Sequence, residues 1–178
     1  IIGSSAGGHL ATLVMTQFDA GQPDAADPVE RVSSRPDLGI LCYALVALGD
    51  FKPTHPHRHP ALFGADAEET QERLDSLSTH LHVQKKTPPC FIWQTMEDSS
   101  VGPTNSLLYA QALHDKRIPF ELHIYQKGAH GMGLGGKAGH PWSEACIDWL
   151  KVQKFVKATD AELIRLKALP PPKPAPKS

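Results

Sequence analysis

Four short segments of the chain have residues that are apolar, either continuously or at every second position. Three of them, at residues 1–2, 38–43 and 90–95, are apolar runs with polar flanks. Such runs are typical of strands that are buried on both faces of a parallel sheet. The fourth segment, 120–125, alternates between apolar and polar residues. This alternation predicts a strand with one less buried face, nearer the edge of the sheet.

The segments between these strands have apolar residues at helical spacing. Helices are predicted after Gly7, over residues 66–81 and 105–116, and after Pro141, which suits a first turn. Their apolar residues are, in order, Leu10, Leu13, Val14 and Phe18; Leu74, Leu77 and Leu81; Leu107, Leu108, Ala112 and Leu113; and Trp142, Ala145, Cys146, Trp149 and Leu150. Alternating strands and helices predict the α/β class, with a mostly parallel sheet flanked by helices.

Three further segments have no place in the predicted sheet. Residues 19–36 are polar and rich in Asp, Ala and Pro, which predicts a surface loop. Thr159 and Glu162 have the spacing of a capping box, so we expect a short C-terminal helix over residues 158–169. Residues 170–178 are rich in Pro and Lys and cannot bury a core, so we expect a disordered tail.

Composition and charge argue against several classes of partner. The 178 residues have a formal net charge of −1, with neither a basic patch for nucleic acid nor an acidic tract. No apolar run is long enough to span a bilayer, so we expect no nucleic-acid partner and no membrane partner. The cysteines Cys42, Cys90 and Cys146 each lie in an apolar segment. We expect them to be core residues rather than disulfide or zinc ligands.

The start of the chain contains a motif for nucleophilic catalysis. Gly3-Ser4-Ser5-Ala6-Gly7 matches G-x-S-x-G, the nucleophile elbow, in which a sharp turn from strand to helix exposes a serine. A serine hydroxyl is a poor nucleophile and must be presented to a base. Ser5 is at the centre of the motif, and Ser4 is at its variable position. We expect the two glycines to let the strand and helix pass closely.

An acid and a histidine follow Ser5 at the ends of later strands. Glu97 and Asp98 come soon after the third apolar segment, and His130 lies in a glycine-rich loop after the fourth. Catalytic groups gather at the carboxyl ends of parallel strands, and the order Ser, acid, His is that of α/β-hydrolases. The residues themselves leave Glu97 and Asp98 as competing candidates for the acid. Three histidines are rivals of His130: we expect His9 to pack under the elbow, and His114 and His123 to face solvent or neighbouring side chains.

Each member of this predicted triad has a chemical task. Ser5 attacks a carbonyl carbon, and His130 accepts the serine proton and later gives it to the leaving group. The acid holds the imidazole in the correct tautomer and stabilises the imidazolium. The backbone N–H of Ala6, the residue after the nucleophile, is expected to supply one donor of the oxyanion hole.

The run from the elbow to Trp149 resembles the acetyl-esterase and BD-FAE-like branch of the α/β-hydrolase superfamily, whose members resemble xylan acetyl esterases and feruloyl esterases. The stretches that carry the resemblance are GSSAGGHLA at 3–11, RPD at 35–37, TPP at 87–89, EDSSV at 97–101, NSL at 105–107, PFELHIY at 119–125 and GAHG at 128–131. In the family the acid lies three residues before a valine. This spacing maps the acid to Asp98, ahead of Val101, and leaves Glu97 as a neighbour.

Two stretches depart from the family pattern. The family often has V-P after the acid, whereas this chain has Val101-Gly102-Pro103. The family's T-H-x-G-S-R loop appears at residues 54–59 without its glycine. The alternating histidines of this loop would share one side of a strand and so suggest a metal site, but three prolines break the strand and no carboxylate or cysteine is near. We therefore expect no metal and no cofactor, and either a loop over the active-site mouth or an inert loop at His55, His57 and His59.

The resemblance implies the C-terminal half of an α/β-hydrolase fold. Residues 1–157 would be the C-terminal part of an eight-stranded domain that starts at the elbow. About half of the sheet would then be absent, as would the second oxyanion donor, which the family takes from an earlier glycine-rich loop. The strand at residues 1–2 would be an open edge, so we expect the isolated fragment to be poorly soluble and inactive.

The expected function is that of a serine carboxylic-ester hydrolase, similar to acetyl esterases. It would act through an acyl-serine intermediate on a small ester or an acylated carbohydrate. Two alternatives remain at this point. One is a catalytically silent, truncated hydrolase without a complete oxyanion hole, and the other is a serine peptidase of the same fold, which uses the same triad order.

Overall fold

The sheet has four parallel strands that lie side by side in chain order. The computed structural model describes residues 1–48, 62–64, 70–135, 139–159 and 162. The strands are β1 (Ile2–Ser4), β2 (Gly39–Cys42), β3 (Cys90–Thr95) and β4 (Phe120–Tyr125). All four predicted strands are therefore confirmed. β4 lies at one edge of the described sheet, as its alternating pattern indicated, and β1 lies at the other.

The register of the sheet brings the carboxyl ends of the strands together. Ser4 in β1 is paired with Cys42, Cys42 with Trp93 in β3, and Trp93 with His123 in β4. Because all four strands are parallel, the loops that follow them leave the sheet at the same end. Three segments therefore meet at this end: the elbow at Ser5, the loop after β3 that contains Glu97 and Asp98 (the acidic loop), and the glycine-rich loop that contains His130. Open α/β sheets bind their ligands at this end.

Helices cover both faces of the sheet. The described helices are α1 (Ala6–Thr16), α2 (Gln71–Leu77), α3 (Thr104–Asp115) and α4 (Trp142–Val152), and a 3₁₀ helix covers Thr79–His82. None of the helices within the described ranges has both the length and the apolar content needed to cross a bilayer.

β3 lies at the centre of two separate cores because its side chains alternate between the two faces. Cys90 and Ile92 belong to a core with residues of α1 and α3, such as Met15 and Leu113. Phe91 and Trp93 belong to the opposite core, whose other buried residues include Trp142, Cys146 and Trp149 of α4. All six residues of β3 are buried, as expected of a strand covered on both faces. The three cysteines are buried and free.

α1 buries a different face from the one that its leucines indicated. Leu10 is 62% exposed, and Leu13 and Val14 are only half-buried. The buried residues of α1 are instead Gly8, His9, Ala11, Thr12, Met15 and Thr16, with small residues at Gly8 and Ala11. Small residues are needed there because the helix lies directly against β1 and the start of the next loop. The predicted helix is confirmed, but its predicted apolar stripe is wrong.

The helix predicted over 66–81 is shorter than its apolar pattern suggested. Residues 65–69 lie outside the described residues, and α2 ends at Leu77. Ser78 ends it, because the Ser78 hydroxyl donates to carbonyls of Leu74 and Leu48 and accepts the Leu48 N–H at 2.9 Å. The chain continues as the 3₁₀ helix, which leaves Leu81 exposed.

The remaining predicted segments have mixed outcomes. Residues 19–36 form a largely exposed loop without helices or strands, as predicted. The helix predicted over 105–116 is confirmed as α3, although Leu107 is half exposed. The capping box is present, since the Thr159 N–H donates to Glu162 and the Glu162 N–H donates back to Thr159. The rest of the predicted C-terminal helix, the tail at 170–178 and the histidine loop lie outside the described residues.

Candidate active site

Ser5 lies in a sharp turn between β1 and α1. Its backbone has φ 52° and ψ −121°, a left-handed conformation that costs energy for a residue with a side chain. The surrounding chain holds this conformation from both sides. The Ser5 N–H donates to the Cys42 carbonyl at 3.0 Å, and the Ser5 carbonyl accepts the N–H of His9 and the N–H of Leu45. The G-x-S-x-G motif therefore forms the strained turn expected of a nucleophile elbow.

The close approach of strand and helix at the elbow depends on Gly3 and Gly8. A Cβ at Gly3 would lie 2.2 Å from the Gly7 carbonyl oxygen, and a Cβ at Gly8 would lie 2.5 Å from the Ala44 Cβ. A Cβ at Gly7 would meet no described atom within 4 Å. The expected role of the motif glycines thus applies to Gly3 but not to Gly7, and Gly8, just outside the motif, has the second close contact.

Ser5, His130 and Asp98 form a continuous chain of hydrogen bonds. The Ser5 Oγ lies 2.8 Å from the His130 Nε2, and the His130 Nδ1 lies 2.7 Å from the Asp98 Oδ2. Because a carboxylate only accepts, Nδ1 carries the proton and Nε2 is left to accept from the serine hydroxyl. The structure thus brings together the three residues predicted from the sequence, although they come from three separate loops.

The Asp98 carboxylate is buried, and the fold supplies donors to both of its oxygens. Its side chain is 0% exposed. Oδ1 accepts the backbone N–H groups of Ser100 at 2.9 Å and Val101 at 2.8 Å, and Oδ2 accepts an N–H of Gln94 at 3.1 Å in addition to that of His130. A buried carboxylate requires such donors because burial removes its hydration.

Glu97 has a different environment from its neighbour Asp98. Its carboxylate accepts hydrogen bonds from the Lys127 ammonium and from the Gly128 N–H. The hydrogen bond from Lys127 is the main cause that lowers the pKa of Glu97. Glu97 therefore contacts the start of the glycine-rich loop, whereas Asp98 contacts the imidazole. The geometry agrees with the placement of the acid at Asp98.

Tyr43 packs against His130, and the sequence pattern did not indicate this contact. The two rings are 5.0 Å apart with an interplanar angle of 68°, and the Tyr43 ring also meets Trp93 edge-on at 5.0 Å. The Tyr43 hydroxyl accepts the Gly133 N–H at 3.3 Å, so it also contacts the loop that holds His130. Tyr43 ends the second apolar segment, and nothing in that segment distinguishes it from a core residue.

His9, His114 and His123 lie outside the hydrogen-bond chain of Ser5. His9 is buried in α1, its Nε2 is 2.8 Å from the Leu77 carbonyl oxygen, and burial lowers its pKa. His123 pairs with Glu121 at 2.7 Å, and His114 is exposed on α3. These positions agree with the sequence prediction. Within the described ranges, no group of three His, Cys, Asp or Glu residues is arranged to hold a metal ion.

Ala6 is the first residue of α1, directly after Ser5. The first N–H groups of a helix have no acceptor within the helix and lie at the positive end of its dipole. The N–H of Ala6 is therefore suited to a negatively charged oxygen beside Ser5.

Comparison with known proteins agrees with this geometry. The sequence model of the BD-FAE family matches residues 1–113, more than half of the chain. The chain belongs to the BD-FAE family. Its parallel sheet with flanking helices is an α/β-hydrolase fold.

Two relatives of this BD-FAE chain have names that describe xylan chemistry. It is 41% identical over 135 residues to endo-1,4-beta-xylanase B of Butyrivibrio fibrisolvens. The matched region is 74% of this chain and 20% of the relative. It is 29% identical over 137 residues to an acetylxylan esterase of Xylanibacter ruminicola. That matched region is 76% of this chain and 26% of the relative. The chain thus spans about a quarter or less of the length of these relatives.

A solved structure with the same fold is also similar in sequence. The acetyl ester-xyloside bifunctional hydrolase from Caldicellulosiruptor lactoaceticus superposes with a TM-score of 0.81 at 44% sequence identity. The superposition covers 88% of this chain and 57% of that chain.

Proposed function

We propose that this BD-FAE chain carries the catalytic triad of a serine carboxylic-ester hydrolase that removes acetyl or related acyl groups from carbohydrate. The observation that carries the proposal is the hydrogen-bond chain from the Ser5 hydroxyl through His130 to the buried Asp98 carboxylate. A serine with a left-handed backbone at the start of a helix, next to a correctly oriented imidazole, is the arrangement that acyl-transfer chemistry requires.

The proposed reaction has two acyl-transfer steps. In the first, the Ser5 Oγ attacks the ester carbonyl carbon while the His130 Nε2 accepts the serine proton. The Ala6 N–H stabilises the oxyanion, the bond from carbon to the alkoxy oxygen breaks, and the alcohol leaves with the proton from His130. In the second step, water attacks the acyl-serine carbonyl carbon while His130 accepts a proton from the water. The bond from that carbon to the Ser5 Oγ then breaks, the acid product leaves, and His130 returns the proton to Oγ. Asp98 keeps the Nδ1 proton in place throughout.

The names of the relatives support an acetyl ester on a xylose-based carbohydrate as the substrate. Both an acetylxylan esterase and an acetyl ester-xyloside hydrolase are similar to this chain. The His130 side chain is 22% exposed, so the site is accessible from solvent at the carboxyl end of the sheet. Each relative extends well beyond the matched region, so the activity is best tested in the intact protein.

Ser5→Ala should abolish turnover of p-nitrophenyl acetate and release of acetate from acetylated xylan. Loss of the nucleophile leaves only catalysis by binding and oxyanion contacts, so kcat should fall by about 10⁴- to 10⁶-fold. Ser4→Ala is the matched control, because it removes the neighbouring, exposed hydroxyl. It should keep kcat within a few-fold of the wild-type value, and circular dichroism should show that both variants fold.

A reversed result, with Ser4→Ala inactive and Ser5→Ala active, would contradict the assignment of the nucleophile. A peptide-amide substrate cleaved faster than acetyl esters would instead favour a serine peptidase of the same fold.

A further inference from the structure

We propose that Gln94 is a positioning residue that fixes the Asp98 carboxylate in the orientation that His130 requires. The proposal rests on the proposed function of the triad and goes beyond it, because neither the motif nor the family match assigns Gln94 a role. Gln94 is the penultimate residue of β3, the strand that leads into the acidic loop, and is 0% exposed.

The side-chain amide of Gln94 connects the two ends of the acidic loop. Its Nε2 donates to the Asp98 Oδ2 at 3.1 Å and also to the Val101 carbonyl oxygen. The Asp98 Oδ2 is the same oxygen that accepts from the His130 Nδ1 at 2.7 Å. Gln94 and His130 thus donate to the same carboxylate oxygen, and this shared oxygen connects the Gln94 amide to the imidazole.

The orientation of the Gln94 amide follows from its neighbours. Both the Asp98 carboxylate and the Val101 carbonyl only accept hydrogen bonds, so the group that faces them must be the NH₂ rather than the oxygen. The opposite orientation would place the amide oxygen against a negative charge in a buried site, and this orientation is strongly unfavourable.

In this orientation the Gln94 side-chain oxygen accepts no hydrogen bond from the described residues. The Oε1 atom is buried, and no hydrogen-bond partner for it exists among the described residues. A buried, unpaired acceptor destabilises the native state, and an apolar side chain of similar length would avoid that cost. The two donated hydrogen bonds are what an apolar side chain could not provide.

The backbone donors and the Gln94 donor hold different oxygens of the Asp98 carboxylate. The N–H groups of Ser100 and Val101 hold Oδ1, so they fix one end of the carboxylate. Rotation about the axis through Oδ1 would still move Oδ2 relative to the imidazole. The donor from Gln94 opposes that rotation and directs the remaining lone pair of Oδ2 at the Nδ1–H. A small displacement in such a chain has a large kinetic effect, since about 1 Å of misplacement costs roughly 10²-fold in rate.

Gln94→Met tests this role because methionine has similar length and no donor. We expect kcat for p-nitrophenyl acetate to fall by roughly 10²-fold with KM nearly unchanged, since the lost interaction acts on the transition state. Gln111→Met is the matched control. It removes an equivalent hydrogen bond, from Gln111 Nε2 to Asp115 Oδ1 at 2.8 Å, on the exposed surface of α3, and should keep wild-type kcat.

A second control separates positioning from general loss of stability. Thr79→Val removes a buried hydrogen bond, from the Thr79 hydroxyl to Thr12 at 2.9 Å, outside the triad. It should lower the free energy of unfolding without the fall in kcat. A kcat for Gln94→Met equal to that of wild type, or a fall matched by Thr79→Val, would overturn the proposal.

Two further measurements report on the hydrogen bond itself. The far-downfield proton NMR resonance of the His130 Nδ1–H, assigned by its loss in His130→Ala, should shift or broaden in Gln94→Met and stay unchanged in Gln111→Met. In an Asp98→Asn background, the effect of Gln94→Met on kcat should largely disappear, because Gln94 acts through Asp98. An unchanged resonance, or fully additive effects on kcat, would contradict the proposal.

The NMR measurement needs no turnover, so the two proposals fail separately. A wild-type protein that hydrolyses no ester would contradict the esterase proposal, and the resonance would still test the contact from Gln94.

Discussion

The adjacent carboxylates of Glu97 and Asp98 differ in what surrounds them. The Asp98 side chain is 0% exposed and accepts hydrogen bonds on both oxygens, one of them from His130. The Glu97 side chain is 46% exposed and pairs with Lys127, whose own side chain is 78% exposed. A pair of this kind is weakened by solvent and salt, and the hydrogen bonds of Glu97 come from Lys127 and Gly128 rather than from the imidazole.

Asp98→Asn should therefore reduce activity far more than Glu97→Gln. Asparagine keeps the shape of the side chain but favours the wrong imidazole tautomer, and the analogous change in the serine-protease triad lowers kcat by about 10⁴-fold. Glu97→Gln should change kcat by no more than a few-fold. Both variants are assayed with p-nitrophenyl acetate under the same conditions, and similar losses in the two would show that the acid is wrongly assigned.

The sequence predicted the residues whose spacing forms a motif and missed Gln94 and Tyr43, whose contacts with Asp98 and His130 depend on the fold. Ser5 and His130 follow from the elbow and from the order of strands and loops, and the choice of Asp98 over Glu97 required the family resemblance. Gln94 lies in a buried strand, where one amide among apolar residues has no spacing that indicates its partner. Tyr43 has the composition of a core residue, and only the fold shows that its ring lies against His130.

At the scale of elements, α1 shows how backbone proximity decides which helix face is buried. The leucines and valine of α1 have the stronger hydrophobic pattern, yet the face against the sheet has Gly8, Ala11 and Met15. A Cβ at Gly8 would lie 2.5 Å from the Ala44 Cβ, and a Cβ at Gly39 would lie 2.3 Å from the Met15 Sδ. Periodicity counts apolar residues, but it does not measure the distance between two backbones, so it indicated the wrong face.

Gly8→Ala and Gly7→Ala are a matched pair that tests this packing. Gly8→Ala should destabilise the protein by about 1–3 kcal/mol, because the new methyl group overpacks against Ala44. Gly7→Ala should stabilise it by up to about 1 kcal/mol, because alanine is the better helix former and the site has open space. Urea denaturation gives both free energies of unfolding. Equal destabilisation by the two variants would contradict the assigned contact at Gly8.

α2 illustrates a second limit of pattern-based prediction. Leu74, Leu77 and Leu81 have helical spacing, but the helix ends before Leu81 because Ser78 makes tertiary hydrogen bonds to Leu48. Such long-range partners are not visible in a local window of sequence. The parallel strands were predicted well for the opposite reason. β2 and β3 are largely buried on both faces, so each of them is a continuous apolar run in the sequence.

At the scale of the whole molecule, buried histidines link stability to pH. Burial lowers the pKa of His9 below its usual value of 6.5, against a smaller opposing effect of its hydrogen bond to the Leu77 carbonyl. The unfolded chain therefore binds a proton at His9 more readily than the native state does. The stabilisation is complete above about pH 6.5 and is lost as the pH falls through the lower native pKa.

His9→Gln should therefore reduce the dependence of unfolding free energy on pH between pH 7 and pH 5. Glutamine can still donate to the Leu77 carbonyl but does not titrate. One proton taken up on unfolding contributes a slope of up to about 1.4 kcal/mol per pH unit. The variant should lack that share of the slope, while the half-buried His80, whose pKa is also lowered by desolvation, keeps its own share. Urea denaturation at several pH values measures the slopes, and identical slopes would refute the assignment.

The hydrogen bond between Ser5 and His130 joins residues 125 positions apart in the chain. The strands follow one another across the sheet in the order in which the ribosome makes them, so each new strand has a finished neighbour to pair with as it emerges. Of the three residues of the proposed triad, Ser5 is synthesised first and His130 last. A nascent chain can therefore pair the four described strands while the Ser5 hydroxyl still lacks its hydrogen bond to His130, which forms only once the loop around His130 has left the exit tunnel.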